Sequence, residues 1–113
     1  MDFNEYQKRA SEFDLYEKTD DLKSPAFLEK VLGLVGEAGE TADKIKKLLR
    51  DQDGQASPED KAAIKKELGD VLWYIANVAR YLDVDLDDVA TTNLEKLSSR
   101  KTRQKLHGSG DDR

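Results

Sequence analysis

Four carboxylates stand at a spacing that chemistry can use. Glu37 and Glu40 are three residues apart, and so are Glu67 and Asp70. On an α-helix, residues i and i+3 are neighbours on one face, so each pair presents two carboxylates side by side. If the pairs face each other, four oxygen donors converge. Like charges a few ångströms apart repel and raise one another's pKa, and a divalent cation removes that penalty. Carboxylates without His or Cys favour Mg2+, with Mn2+ as a substitute, over zinc. One acidic pair is commonplace on a solvated helix in a chain with 24 Asp and Glu. Two pairs on consecutive long helices, each bordering an apolar face, favour a metal site. A diiron centre would need Glu-x-x-His motifs, and the single histidine, His107, lies in the C-terminal tail.

Helices must position these groups, and the sequence marks four. The first is expected over about residues 2–16, with Phe3, Tyr6, Ala10 and Phe13 at helical spacing. Ser24-Pro25 reads as an N-cap with proline at the first helical position, opening a helix to about Arg50. The turn DQDGQA follows. Ser57-Pro58 repeats the start signal, and Asp60 makes a capping box with Ser57. That third helix runs to about Leu82. Asp85 is expected to cap a fourth, ending near Arg100. The middle two helices, each ~25 residues or ~37 Å long, are joined by a short connection and so become antiparallel neighbours.

On a helical wheel, Val31, Leu34, Val35, Ala38, Ala42, Ile45, Leu48 and Leu49 form the apolar face of the second helix. Glu37, Glu40, Lys44 and Lys47 form a stripe beside it. Ile64, Leu68, Val71, Leu72, Ile75, Val78, Ala79 and Leu82 form the corresponding face of the third. Glu67 and Asp70 lie at its edge, and Tyr74, Asn77 and Tyr81 continue that edge. The expectation is that the apolar faces make the seam and the acids border it. Gly33, Gly36 and Gly39 each weaken a helix interior by about 1 kcal/mol relative to alanine. Their presence predicts close approach by a neighbouring helix or a bound ligand.

Composition bounds the rest. The chain of 113 residues fits one domain, taken as residues 1–100 with a polar, flexible tail over 101–113. A net charge of −5 argues against duplex nucleic acid or an anionic membrane as the main partner. Absence of cysteine excludes disulfides and thiolate chemistry. No apolar run approaches the ~20 residues that span a bilayer. The N-terminus is unlike a secretory signal, so a soluble cytoplasmic protein is expected.

Glu37-Ala38-Gly39-Glu40, 26 intervening residues, then Glu67-Leu68-Gly69-Asp70 resembles the ExxE…ExxD signature of the MazG-like, all-α nucleoside triphosphate pyrophosphohydrolases. GLVGEAGETADKIKK and KKELGDVLWYIANVARYLDVD resemble the family's two metal helices. NLEKLSSR, with Asn93, Lys96 and Arg100, resembles its N-x-x-K-x-x-x-R element, and NEYQKRA is typical of the small single-domain members. The resemblance covers about residues 3–100.

It implies an all-α bundle of four helices in two antiparallel hairpins, completed as a homo-oligomer: a dimer, or a tetramer built as a dimer of dimers. It implies Mg2+-dependent hydrolysis of a (d)NTP between the α- and β-phosphates, giving (d)NMP and pyrophosphate. Glu37, Glu40, Glu67 and Asp70 would ligate the metal, and Glu37 or Glu40 would act as base. Lys44, Lys47, Asn93, Lys96 and Arg100 would contact the triphosphate, with Asn77 adding polar contacts. Trp73 and Tyr74, and beyond them Phe27 and Tyr81, are candidate surfaces for the base. Two rivals remain: a non-enzymatic helical interaction module, and a Mg2+-dependent phosphohydrolase of another phosphorylated substrate.

Overall fold

A computed structural model describes residues 1–103 and 108–111. Of the expected tail, residues 104–107 (with His107) and 112–113 lie outside the described residues. Those described form four helices and no strand: α1 (Phe3–Ser11), α2 (Pro25–Gln52), α3 (Pro58–Tyr81) and α4 (Leu86–Thr102). None is long and apolar enough to cross a membrane.

Local chemistry sets the ends of the long hairpin. Ser24 Oγ accepts from Phe27 N at 3.2 Å, and Pro25 fills the first helical position. The Ser57–Asp60 capping box forms in both directions, at 3.1 and 2.9 Å. α2 stops where Asp53 turns left-handed (φ 53°) and Gly54 (φ 75°) bonds back to Leu48 O at 3.0 Å.

Two expectations about the shorter helices are corrected. α1 ends at Ser11, not near residue 16. Beyond it the chain turns to deliver Asp14 into the interior, leaving Phe13 and Leu15 72% and 98% exposed. Asp85 does sit at the N-cap of α4, but its side chain makes no capping bond. α1 supplies the acceptors: Gln7 Oε1 takes Leu86 N at 3.1 Å, and Asn4 Oδ1 takes Asp87 N at 3.0 Å. Asp87 returns the favour by accepting from Phe3 N at 3.1 Å.

The seam between α2 and α3 also differs from the wheel's expectation. Lys30, Gly33, Glu37, Thr41, Lys44 and Leu48, at helical spacing, include the residues α2 turns toward α3. Lys30 and Leu48 are buried, Tyr74 packs on Gly33, and Lys44 pairs with Glu67. Of the eight aliphatic residues expected from α2 at the seam, only Leu48 is buried. Val35 and Leu49 are 68% and 66% exposed, and Leu68 on α3 is 53% exposed. The wheel gives which residues share a face; in the chain, Glu37 and Lys44 of the polar stripe face α3, while most of the aliphatic face of α2 turns outward.

The interior of the single chain is correspondingly polar. Lys30, 1% exposed, pairs with Asp14 at 2.8 Å and with Glu29. Its ammonium lies over the rings of Tyr16, Trp73 and Tyr81. Asp14 also accepts from Arg80 Nη2 and Tyr81 Oη, both at 2.7 Å. This network ties the segment after α1 to α2 and α3.

Candidate metal and phosphate site

The α2–α3 seam brings Glu37, Glu67 and Asp70 together, with one carboxylate oxygen from each within 4.8 Å of the others. Geometry explains the membership. Residues i and i+3 differ by about 60° around a helix, so both members of a pair cannot point straight at a facing helix. On α3 the pair straddles the seam and both join. On α2 Glu37 points across, while Glu40 is exposed at the rim.

Electrostatics registers the crowding. Burial pushes the Glu37 carboxyl above the usual carboxylate range, aided by the charges of Asp70 and Glu67, a hydrogen bond with Glu67, and the nearby charge of Glu40. Burial and the Asp70 charge likewise raise the Tyr6 hydroxyl, which brings α1 to the edge of the cluster. One cation answers this charge directly: Lys44 Nζ lies 3.4 Å from Glu67 Oε1. Three hard oxygen donors at this spacing, under-compensated by protein cations, fit a divalent cation.

The remaining expected residues separate into groups. Lys47 pairs with Asp43 at 2.8 Å, and Lys46 pairs with the same carboxylate, which is pulled down to about 2 by the two lysines. Lys44 and Lys47 both line a cleft of about 320 Å3 toward the hairpin tip, with Gln52 and Asp60. Asn77 is 1% exposed, donating to Trp73 O and accepting from Arg80 Nε, each at 3.0 Å. Asn93 is exposed on α4. Lys96 and Arg100 engage Asp111.

Of the aromatics, Trp73 donates its indole N–H to Ala10 O at 3.1 Å, and Phe27 packs on Tyr81 with ring centroids 6.1 Å apart. Tyr74 stands edge-on to Trp73, and its hydroxyl lies 3.4 Å from Glu29. A Cβ on Gly33 would meet Tyr74, whereas one on Gly36 or Gly39 would meet nothing within 4 Å. Among the described residues, the expected close approach therefore holds at Gly33 and not at Gly36 or Gly39.

The Asp14–Lys30 pair and its link to Glu29 were missed by sequence reasoning. The wheel did carry one signal, a lysine at position 30 in register with Gly33 and Glu37. Its partner, 16 residues earlier in a non-helical segment, carried none.

The model of the MazG nucleotide pyrophosphohydrolase domain matches residues 27–104. The chain belongs to the MazG nucleotide pyrophosphohydrolase family. The match begins at the first turn of α2 and spans α3 and α4, so this MazG domain includes every carboxylate of the cluster. The chain is also 50% identical over 109 residues to the Gene 37 protein of Mycobacterium phage L5, covering 96% of each. No solved structure matches it.

Proposed function

We propose that this MazG domain is a Mg2+-dependent enzyme that splits (d)NTPs between the α- and β-phosphates, releasing (d)NMP and pyrophosphate. The observation that carries this reading is the convergence of Glu37, Glu67 and Asp70 from two helices within 4.8 Å. These three carboxylates would hold the metal, with Mn2+ as a substitute. A bound divalent ion supplies charge neutralisation on phosphate oxygens and a more acidic water.

The chain's own residues do the rest. Glu40 stands at the water-exposed rim beside the three ligands, near enough for its charge to act on Glu37. That suits it to take the proton of the attacking water, with Glu37 assigned to the metal. Lys44 is 38% exposed and can turn from Glu67 to a phosphate. The cleft it shares with Lys47 suits the leaving pyrophosphate. Asn93, Lys96 and Arg100 would hold the phosphates from α4. For the base, Trp73 and Tyr74 would offer ring surface, since the Trp73 N–H is engaged by Ala10 and the Tyr74 hydroxyl by Glu29.

The active form would be a homo-oligomer in the cytoplasm. A compact chain of this length has a radius of gyration of about 13 Å, whereas this one has 16.8 Å. The aliphatic face of α2 around Val35 and Leu49 is largely exposed among the described residues. A second copy seated there, as a dimer or in a dimer of dimers, would supply the missing core.

The test is product analysis over a panel of canonical and damaged (d)NTPs with Mg2+, alongside Glu40→Gln and Asp70→Asn. The expected products are NMP and pyrophosphate from the parent and neither from the variants. Glu40→Gln should keep Mg2+ binding that Asp70→Asn loses. Orthophosphate release would overturn the choice of bond. No turnover of any nucleotide would move the reading to another phosphorylated substrate if Mg2+ binds, and to a helical interaction module if it does not.

A further inference from the structure

The C-terminal segment places a carboxylate on two cations of α4, Lys96 and Arg100. Lys96 Nζ lies 3.2 Å from Asp111 Oδ1, and Arg100 Nη2 lies 3.5 Å from the same oxygen. Arg100 Nη2 also donates to the carbonyls of Gly110 and Asp111, at 3.2 and 2.6 Å. Lys96 and Arg100 are i and i+4, neighbours on one face.

This arrangement leaves a defect. Arg100 is 4% exposed, yet its Nε has no hydrogen-bond partner among the described residues. A guanidinium presents donors in a planar fork that matches a bidentate carboxylate or phosphate. Asp111 engages one terminal nitrogen and leaves Nε unmet. The end of α4 is also the wrong end of a helix for an anion, since its terminal carbonyls carry partial negative charge. The attraction therefore comes from the two side chains. The adjacent lysine, and then Arg100, hold the Asp111 carboxyl below its usual range.

We propose that Lys96 and Arg100 form a phosphoryl-anion site and that Asp111 is its internal occupant, which a pyrophosphate group must displace. The resemblance implies that the two cations serve the triphosphate; what is new is a carboxylate of the same chain competing for them. A pyrophosphate offers several oxygens, enough to satisfy Nε, Nη2 and the Lys96 ammonium together. Asp111 competes because it belongs to the same chain, 11 residues from Arg100, which keeps its effective concentration high. The C-terminal segment thus acts as a built-in competitive inhibitor. The anion site stands without the proposed activity; only its effect on turnover rests on that reading.

The test is calorimetric titration of the full chain with inorganic pyrophosphate in EDTA-containing buffer, which removes any metal-mediated binding. Asp111→Asn and Asp111→Ala should each tighten pyrophosphate binding about five- to tenfold, within the usual range for coupled binding equilibria. Lys96→Met, at a half-exposed position, should weaken it. Equal or weaker binding by both Asp111 variants overturns the proposal, as does the absence of binding by every form. With (d)NTP and Mg2+, the Asp111 variants should lower KM and leave kcat unchanged. Tightened pyrophosphate binding without turnover would keep the anion site and reject the proposed activity.

Discussion

The ring of Tyr74 lies on the backbone of Gly33: a Cβ at position 33 would stand 2.2 Å from Cε1 and 2.3 Å from Cζ. The obstructing atoms belong to a ring held between α2 and α3 by Trp73 and Glu29, so it cannot swing aside freely. Gly33→Ala should therefore destabilise the protein by about 1–3 kcal/mol, the usual result of overpacking, despite alanine's better helix propensity. Gly36→Ala and Gly39→Ala remove about 1 kcal/mol of helix penalty each and meet no neighbour within 4 Å among the described residues. In urea melts of the three variants at equal protein concentration, Gly33→Ala should be the least stable.

Metal binding should appear as stabilisation. A ligand at 100 times its Kd that binds the native state alone adds about 2.7 kcal/mol. Mg2+ should raise the melting temperature of the parent, and Asp70→Asn should abolish most of that rise. An equal rise in the variant would show that the three-carboxylate cluster is not where the ion sits.

The Asp14 network predicts an acid limb. Burial raises the Asp14 carboxyl, but the hydrogen bonds from Lys30 and Tyr81 outweigh it and hold the pKa below its ordinary value. A depressed folded pKa gives stability that is present above the unfolded value, about 3.9, and is lost as pH falls through the folded value. The stability of the parent should thus fall below about pH 4 more steeply than that of Asp14→Asn.

At neutral pH, Asp14→Asn should cost up to about 3–5 kcal/mol, the range for breaking a buried ion pair, because it leaves the buried Lys30 with the half-exposed Glu29 as its remaining carboxylate. Lys30→Met should cost less, since Arg80 and Tyr81 still satisfy Asp14. Chemical denaturation across pH measures both effects, and a reversed order would show that Asp14 is not what makes the burial of Lys30 tolerable.

Charge placed on the aliphatic face of α2 should dissolve the assembly. Val35→Lys and Leu49→Lys alter positions that are 68% and 66% exposed in the single chain, where such substitutions ordinarily change stability by about 0.5 kcal/mol or less. Sedimentation should show an oligomer for the parent and a smaller species for the variants. A parent that sediments as a monomer at all concentrations would reject the oligomer.

Local chemistry was legible in the sequence, and long-range orientation was not. Ser24-Pro25 and Ser57-Pro58 begin their helices as read, because a cap depends on residues two or three positions away. The family, the helix count and the acidic pairs were legible for similar reasons. The side of α2 that meets α3 was not. Period alone cannot say whether an aliphatic stripe packs within the chain or stays open, and here Val35 is open while Lys30 is buried. The capping of α4 by Gln7 and Asn4 was equally hidden, since those partners lie about 80 residues apart in sequence.

That capping turns α4 into a lever arm. Its backbone start is pinned by the first helix of the chain, while Arg100 sits about 21 Å along it at 1.5 Å per residue. A rotation of about 10° at the pin would carry the guanidinium through roughly 4 Å over that length, the difference between touching an anion and missing it. An alteration at Asn4 or Gln7, or a tag that displaces α1, would thus be felt at the far end of the molecule. The first turns of the chain set the aim of its last helix.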